Sequence, residues 1–149
     1  MTAPRIPPEA IVARARAWIG TPYVHQASRL GAGCDCLGLI RGLWRELRGA
    51  EACSIPPYSP DWGEAGGQEL LANALRRFLM PVTEAGLGDV VLFRMLPTGP
   101  AKHLGLISAG APAPRFIHAY SGHGVVETPL SAPWARRIAA QFRFPERIS

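Results

Sequence analysis

The spacing of apolar residues changes near Gly88, from a helical period to a strand period. Upstream of this point apolar residues recur every three or four positions, which is typical of amphipathic helices. Downstream, short apolar runs alternate with turns rich in glycine and proline, which is typical of strands. Helices followed by a run of short strands indicate the α+β class. We predict N-terminal helices packed on an antiparallel sheet of about five or six strands.

The patterns also place the individual elements along the chain. The predicted strands cover residues 89–93, 103–108, 115–120, 124–128 and 138–144. Three helices are predicted upstream of these strands. The first carries the apolar residues Ile11, Val12, Ala15, Trp18 and Ile19. The second begins at Cys36 and is terminated by Gly49, and the third covers residues 68–79. A loop at 23–33 and an irregular surface segment at 54–67 connect the helices.

Composition and charge exclude several classes of protein. With 149 residues, 48% hydrophobic and 18% charged, the chain is long enough for one globular domain, predicted to span 1–149, and is not typical of disorder. Basic residues exceed acidic ones by five but are dispersed, so we predict no nucleic-acid binding. No apolar stretch reaches the ~20 residues of a membrane helix, and the N-terminal segment lacks the apolar region of a signal peptide. We therefore expect synthesis in the cytoplasm, without export by a signal of its own and without membrane insertion.

Cys36 opens the second predicted helix, on the stripe of apolar residues that faces the core. That stripe consists of Leu37, Leu39, Ile40, Leu43, Trp44 and Leu47. Asp35 precedes the helix in the position of an N-cap. Unpaired N–H groups and the helix dipole favour negative charge at this end, so we expect a lowered thiol pKa and a nucleophilic Cys36. Cys34 and Cys53 are interpreted as structural, and the Cys-x-Cys spacing does not favour a zinc site.

Two histidines on neighbouring predicted strands are candidates for the catalytic base. If residues 110–114 turn these strands into a hairpin, His103 lies opposite or diagonal to His118, with their Cβ atoms roughly 4.5 to 8 Å apart. We assign Cys36 as nucleophile, His103 as base and His118 as the residue that fixes the tautomer of His103. Gly105 is expected to let the cysteine helix approach the sheet.

An acyl-transfer site also needs donors for the developing oxyanion. The backbone N–H of Cys36 is one candidate, and a side chain of the preceding loop, Tyr23 or His25, is the second. The candidate substrate-binding residues are Tyr23, His25 and Asp35. His123, between two glycines, is expected to be exposed to solvent.

Five blocks of the sequence, taken in order, resemble those of the NlpC/P60 family of cysteine peptidases. They are Gly20-Thr21-Pro22-Tyr23, Asp35-Cys36-Leu37-Gly38-Leu39, the segments 88–93 and 103–107, and Phe116-Ile117-His118-Ala119. The resemblance extends from about Ile11 to Phe144. The Cys-Asp-Cys-Leu-Gly-Leu-Ile form is most similar to the branch found in phage tails and gene-transfer particles. His25-Gln26-Ala27 replaces the glycine-rich stretch that commonly follows the tyrosine.

This resemblance implies a papain-like fold and a Cys-His-His catalytic set formed by Cys36, His103 and His118. It also implies that Tyr23 binds or polarises the scissile carbonyl, and that neither a metal nor an organic cofactor is needed. The implied substrate is the stem peptide of bacterial peptidoglycan, cut between D-glutamate and the following diamino acid. The implied partners are tail-tip or hub proteins of a phage-like particle that brings the enzyme to the cell wall.

Two other functions remain open from the sequence. In the first alternative, the domain is a structural piece of a tail tip whose site is idle or masked. In the second, it is an acyl- or amide-transferring enzyme of the same superfamily. The first alternative retains the fold without peptide hydrolysis. The second keeps the nucleophile and replaces water by another acceptor.

Overall fold

A six-stranded antiparallel sheet forms the centre of the fold, as the sequence predicts. The computed structural model describes residues 6–49 and 70–145. The predicted surface segment at 54–67 and Cys53 lie outside these ranges. The α+β class and the placement of helices before strands are confirmed.

The helices begin and end close to the predicted positions. They are α1 (Pro8–Ala17), α2 (Cys36–Arg48), α3 (Leu70–Phe78) and α4 (Ala132–Ala135). The short α4 lies in a segment for which the sequence predicts no element. Ile19, predicted to belong to the first helix, lies beyond its end and is exposed. None of the helices in the described part of the chain combines the length and the apolar character that crossing a membrane requires.

All five predicted strands are present, and residues 6–49 and 70–145 also contain three short strands that the sequence does not predict. The strands are β1 (Ser28–Arg29), β2 (Gly33–Cys34), β3 (Met80–Pro81), β4 (Val90–Phe93), β5 (His103–Ala109), β6 (Arg115–Tyr120), β7 (Gly124–Pro129) and β8 (Ile138–Arg143). Within the sheet their order is β3-β8-β4-β5-β6-β7, so β7 forms one edge. β1 and β2 pair separately, inside the segment predicted as a loop.

The two faces of the sheet carry different cores. Alternation along the strands turns Leu104, Leu106 and Ile117 toward the core that contains the helices. Ile107 and Phe116 point to the opposite face, which packs against Trp134 of α4. The same alternation places the side chains of His103 and His118 on this second face.

Helix α2 is fixed at both ends and along one side. The carboxylate of Asp35 accepts the N–H of Gly38 at 2.7 Å and caps the N-terminus, while Gly49 closes the C-terminus with φ of 84°. Its apolar stripe is buried as predicted, through Leu37, Leu39, Ile40 and Leu43. Each such side chain stabilises the fold by about 1.5–3 kcal/mol relative to full exposure. The nucleophile candidate therefore lies at the start of a rigid element.

The loop that precedes α2 is held against the helix by several contacts. The hydroxyl of Ser28 donates to the carbonyl of Gly38 at 2.6 Å, and Arg45 donates to both the hydroxyl and the carbonyl of Ser28. Gly38 lies so close to the carbonyl oxygen of Ala27 that a Cβ atom at this position would overlap it. The loop is therefore packed on the first turn of α2 without space between them.

The start of this loop is also joined to the edge strand β7. The N–H of Gly20 donates to the carbonyl of Val125 at 3.0 Å, and the N–H of Val125 donates to the carbonyl of Thr21 at 2.9 Å. The chain thus enters the loop from a position fixed on the sheet.

Gly105 has a different role from the one predicted. A Cβ atom there would lie 2.7 Å from Cδ2 of Phe116, so the aromatic ring fills the space that the missing side chain leaves. The expectation that the cysteine helix packs at Gly105 is wrong, because strand alternation turns this position to the face opposite α2.

Replacing Gly38 by alanine tests the close packing of loop and helix. The added methyl group must displace the Ala27 carbonyl, and overpacking of this kind costs about 1–3 kcal/mol. We expect the melting temperature to fall by about 2–4 °C for each kcal/mol lost, measured by differential scanning calorimetry.

Gly110→Ala is the matched control, since a Cβ atom at that position meets nothing within 4 Å. The control should melt within about 1 °C of the unchanged protein. Equal melting temperatures for the two variants would show that the loop is not packed as described.

Candidate active site

The sulfur of Cys36 lies against the backbone of β5 next to His103. Its thiol donates to the carbonyl of Lys102 at 3.6 Å. The N–H groups of Leu104, Leu37 and Cys36 itself are placed to stabilise negative charge on the sulfur. Since Lys102 and Leu104 flank His103, the structure brings the predicted nucleophile to the strand position of the predicted base.

The two predicted histidines are in direct contact. Nε2 of His103 lies 2.7 Å from Nδ1 of His118, and their rings meet edge to face at a centroid distance of 5.0 Å. The β5–β6 ladder ends at the pair Leu106–Ile117, so both histidines lie beyond its last pair. If the same register is continued, His103 lies opposite Tyr120 and therefore diagonal to His118. The sequence predicts either a directly opposite or a diagonal arrangement of the two histidines.

A threonine extends the histidine pair, and sequence analysis did not identify it. Oγ1 of Thr128, on β7, lies 2.9 Å from Nε2 of His118. His118 is only 1% exposed, and both of its ring nitrogens have a partner. The signal available from the sequence was the position of Thr128 near the end of the strand after His118.

Trp134 covers the histidine pair, and it too was missed. Its ring centroid lies 5.7 Å from that of His103 and 5.2 Å from that of His118. Phe93, Phe116 and Tyr120 complete an aromatic shell around the two imidazoles. Trp134 belongs to a helix of four residues, which is too short to show a hydrophobic period.

This surrounding keeps both imidazoles neutral. Burial, and then the neighbouring His118, lower the pKa of His103 to about 3. Burial, and then His123, lower the pKa of His118 to about 4. At neutral pH each ring therefore carries one proton, and His103 is in the form that can accept another.

The Cys36 thiol is also neutral in the resting site. Burial of the sulfur, followed by the carboxylate of Asp35, raises the pKa of Cys36 to about 12, although the N–H groups at the helix start act in the opposite direction. The expectation of a lowered thiol pKa is therefore wrong. Desolvation and a neighbouring negative charge outweigh the helix terminus.

Tyr23 lies within electrostatic range of Cys36, the predicted nucleophile. Burial, and then the charges of Cys36 and Asp35, raise the pKa of its phenol to about 12. Its backbone forms a bridge with Cys34, which fixes it relative to the first turn of α2. The phenol therefore keeps its proton and can donate a hydrogen bond.

Asp35 and His25 occupy different environments. Asp35 is 2% exposed, and its second carboxylate oxygen accepts the N–H of Gln26 at 2.7 Å. Gln26 has a left-handed backbone with φ of 65°, a conformation usually taken by glycine. His25 is exposed, and its Nδ1 lies 3.8 Å from the Asp35 carboxylate. Asp35 thus holds the loop and the helix together, while His25 lies at the surface of the loop.

Cys34 and His123 are not part of the predicted catalytic set. Cys34 is fully buried, and burial followed by Asp35 raises its pKa to about 12, which fits a structural role. Within residues 6–49 and 70–145, no three His, Cys, Asp or Glu side chains are grouped to hold a metal ion. His123 is exposed as predicted, but it stacks on Tyr120 at 5.3 Å.

Comparison with known proteins identifies the domain. The model of the NlpC/P60 family matches residues 20–143 of the chain. Among curated protein sequences, none is similar enough to count as a match.

Several solved structures share the fold at low sequence identity. The NlpC/p60 domain of the peptidoglycan hydrolase SagA is 23% identical, with a TM-score of 0.63 over 93% of this chain and 100% of that chain. An NlpC/P60 family protein from Bacillus cereus is 19% identical, with a TM-score of 0.65 over 95% of this chain. A lipoprotein-like protein of the family from Staphylococcus aureus is 21% identical, with a TM-score of 0.60 over 92% of this chain. This chain spans 41% of each of the last two proteins.

The raised thiol pKa predicts how Cys36 reacts with iodoacetamide. Because a raised pKa keeps the thiol protonated at neutral pH, we expect the alkylation rate of Cys36 to reach half its maximum above the ordinary thiol value of 9.0. Peptide mass spectrometry resolves Cys36 from Cys34 and Cys53.

The same peptide in the denatured chain is the control, and its midpoint should return to the ordinary value. A rate for the folded protein that is already maximal below pH 8 would contradict a neutral resting thiol.

Proposed function

This chain belongs to the NlpC/P60 family, and we propose that it is a cysteine peptidase that hydrolyses the stem peptide of peptidoglycan. The observation that carries the proposal is the position of the Cys36 sulfur on the backbone that flanks His103, whose ring contacts His118. SagA, which shares the fold, is described as a peptidoglycan hydrolase.

The reaction begins from a neutral thiol and a neutral imidazole. As Cys36 attacks the scissile carbonyl carbon, the S–H bond breaks and its proton moves to His103, because attack on substrate makes the sulfur a stronger acid. The leaving amine takes that proton from the His103 imidazolium as the C–N bond breaks, which leaves a thioester on Cys36 and a neutral His103. Water then attacks the thioester with His103 again as base, which releases the acid and restores the thiol.

Two donors are available for the oxyanion of each tetrahedral intermediate. The backbone N–H of Cys36 lies at the start of α2, where N–H groups have no partner within the helix. The phenol of Tyr23 supplies the second hydrogen bond, because its raised pKa keeps it protonated. Donors fixed before reaction are most effective where water is excluded.

We assign the loop before α2 to substrate recognition. His25 is exposed at its surface and contacts the substrate directly, whereas Asp35 acts by holding Gln26 and the capped helix in place. Residues 25–27 depart from the glycine-rich stretch of the family, so this loop sets the peptide specificity. The proposed cleavage site is the bond between D-glutamate and the following diamino acid of the stem peptide.

The same proposal includes the setting in which the enzyme acts. The sequence around Cys34 and Cys36 resembles the branch of the family in phage tails and gene-transfer particles. We propose that tail-tip or hub proteins of such a particle carry the domain to the cell wall. The net charge of +5 favours contact with anionic wall polymers.

Replacing Cys36 by alanine tests the reaction. Without the sulfur no thioester forms, so we expect cleavage of purified muropeptides to fall by at least about 10³-fold, measured by liquid chromatography and mass spectrometry. The melting temperature should change little, since only a small side chain is removed.

Cys34→Ala is the matched control, because this cysteine is buried two residues away and has no role in the reaction. It should retain cleavage. Equal activity of the Cys36 variant and the unchanged protein would exclude the peptidase. Products that carry an added amine or lipid in place of water would identify a transferase.

Replacing Trp134 by alanine tests the source of the lowered histidine pKa values. A lowered pKa keeps His103 neutral to lower pH, so the acid limb of kcat/KM for the unchanged protein should lie below the ordinary histidine value of 6.5. Opening the aromatic shell lets water reach both rings, raises their pKa values and moves the limb upward.

Trp44→Ala, which removes a tryptophan of the helical core, is the control for general destabilisation. Its acid limb should remain in place. An upward shift of the same size in both variants would show that the aromatic shell does not set the histidine pKa values.

A further inference from the structure

The hydroxyl of Thr128 lies at the end of a hydrogen-bonded chain that starts at the base. Nε2 of His103 is paired with Nδ1 of His118, and Nε2 of His118 is paired with Oγ1 of Thr128. Nδ1 is therefore the ring nitrogen of His103 that is available to accept the proton of the Cys36 thiol. Whether it accepts a proton depends on which way the hydrogen bonds of this chain run.

Neutral rings allow two complete arrangements. In the first, His118 donates from Nε2 to Thr128 and accepts at Nδ1 from Nε2–H of His103, so Nδ1 of His103 is unprotonated and basic. In the second, Thr128 donates to Nε2 of His118, and His118 donates from Nδ1 to His103. Nδ1 of His103 then carries the proton and cannot act as base.

The protonated state reached during the reaction permits only the first direction. Once Nδ1 of His103 has taken the thiol proton, its Nε2 also carries one and must donate to Nδ1 of His118. His118 then has its own proton on Nε2, which points at Oγ1 of Thr128. At 1% exposure, His118 is shielded from water, and a buried N–H without an acceptor is costly.

We propose that Thr128 is a positioning residue that accepts the Nε2–H of His118 and thereby keeps Nδ1 of His103 in the basic tautomer. This role rests on the proposed peptidase function. Thr128 does not touch the reacting atoms. It acts through His118. Without the hydroxyl, the tautomer of His118 that carries its proton on Nε2 loses its acceptor. That tautomer is destabilised more than the one with an unprotonated Nε2, since unpaired N–H groups are tolerated less well than unpaired acceptors.

The test compares Thr128→Val, which keeps the shape and removes the hydroxyl, with Thr128→Ser, which keeps the hydroxyl. We expect kcat on muropeptides to fall about tenfold in the valine variant, with KM within about twofold, and the serine variant to recover most of the loss. A purely structural role of Thr128 predicts instead that both variants lose activity in parallel with their melting temperatures.

A second readout does not depend on activity. In protein with ¹⁵N-labelled histidine, nuclear magnetic resonance distinguishes the tautomers of His103 and His118. His25→Gln and His123→Gln variants assign the remaining two signals, since the chain has four histidines. We expect both buried rings to carry their proton on Nε2 in the unchanged and serine proteins, and the Nδ1–H form to become populated in the valine variant.

The two readouts separate the possible failures. An unchanged tautomer and unchanged kcat in the valine variant would overturn the role of Thr128 even if the protein cleaves muropeptides. A tautomer change in a protein without hydrolytic activity would support the role of Thr128 and count against the peptidase.

Discussion

The buried carboxylate of Asp35 is the interaction on which the site depends. One oxygen caps α2 through Gly38 and the other holds the loop through Gln26, so the helix and the loop take their positions from the same side chain. Its charge has a second effect, because it raises the pKa of the adjacent Cys36 thiol. The carboxylate that positions the helix carrying Cys36 therefore also favours the protonated form of its thiol.

A neutral resting pair has chemical advantages for an enzyme of this kind. Thiolates are the form of cysteine that is oxidised and alkylated, so a protonated Cys36 is protected when no substrate is bound. The aromatic shell on the other side of the sheet likewise favours neutral groups, since it excludes water from both imidazoles and lowers their pKa values. In the proposed reaction, proton transfer is then coupled to attack on the carbonyl instead of preceding it.

The regular part of the fold could be predicted because it follows from the period of apolar residues. Helix α2, the five long strands and the diagonal contact of His103 with His118 all depend on local alternation and short connections. The thiol pKa could not be predicted, because it depends on how closely other parts of the chain pack around the sulfur. Thr128 and Trp134 were missed for a related reason: neither lies in a motif, and both reach the histidines only through tertiary packing.

The edge strand β7 joins two parts of the site that are far apart in sequence. At Val125 it holds the start of the loop that carries Tyr23, and at Thr128 it contacts His118. The loop that carries Tyr23 and the histidine pair therefore share one mechanical support at the rim of the sheet. A binding partner that separated this strand from β6 would disturb the positions of both Tyr23 and His118 while leaving Cys36 in place.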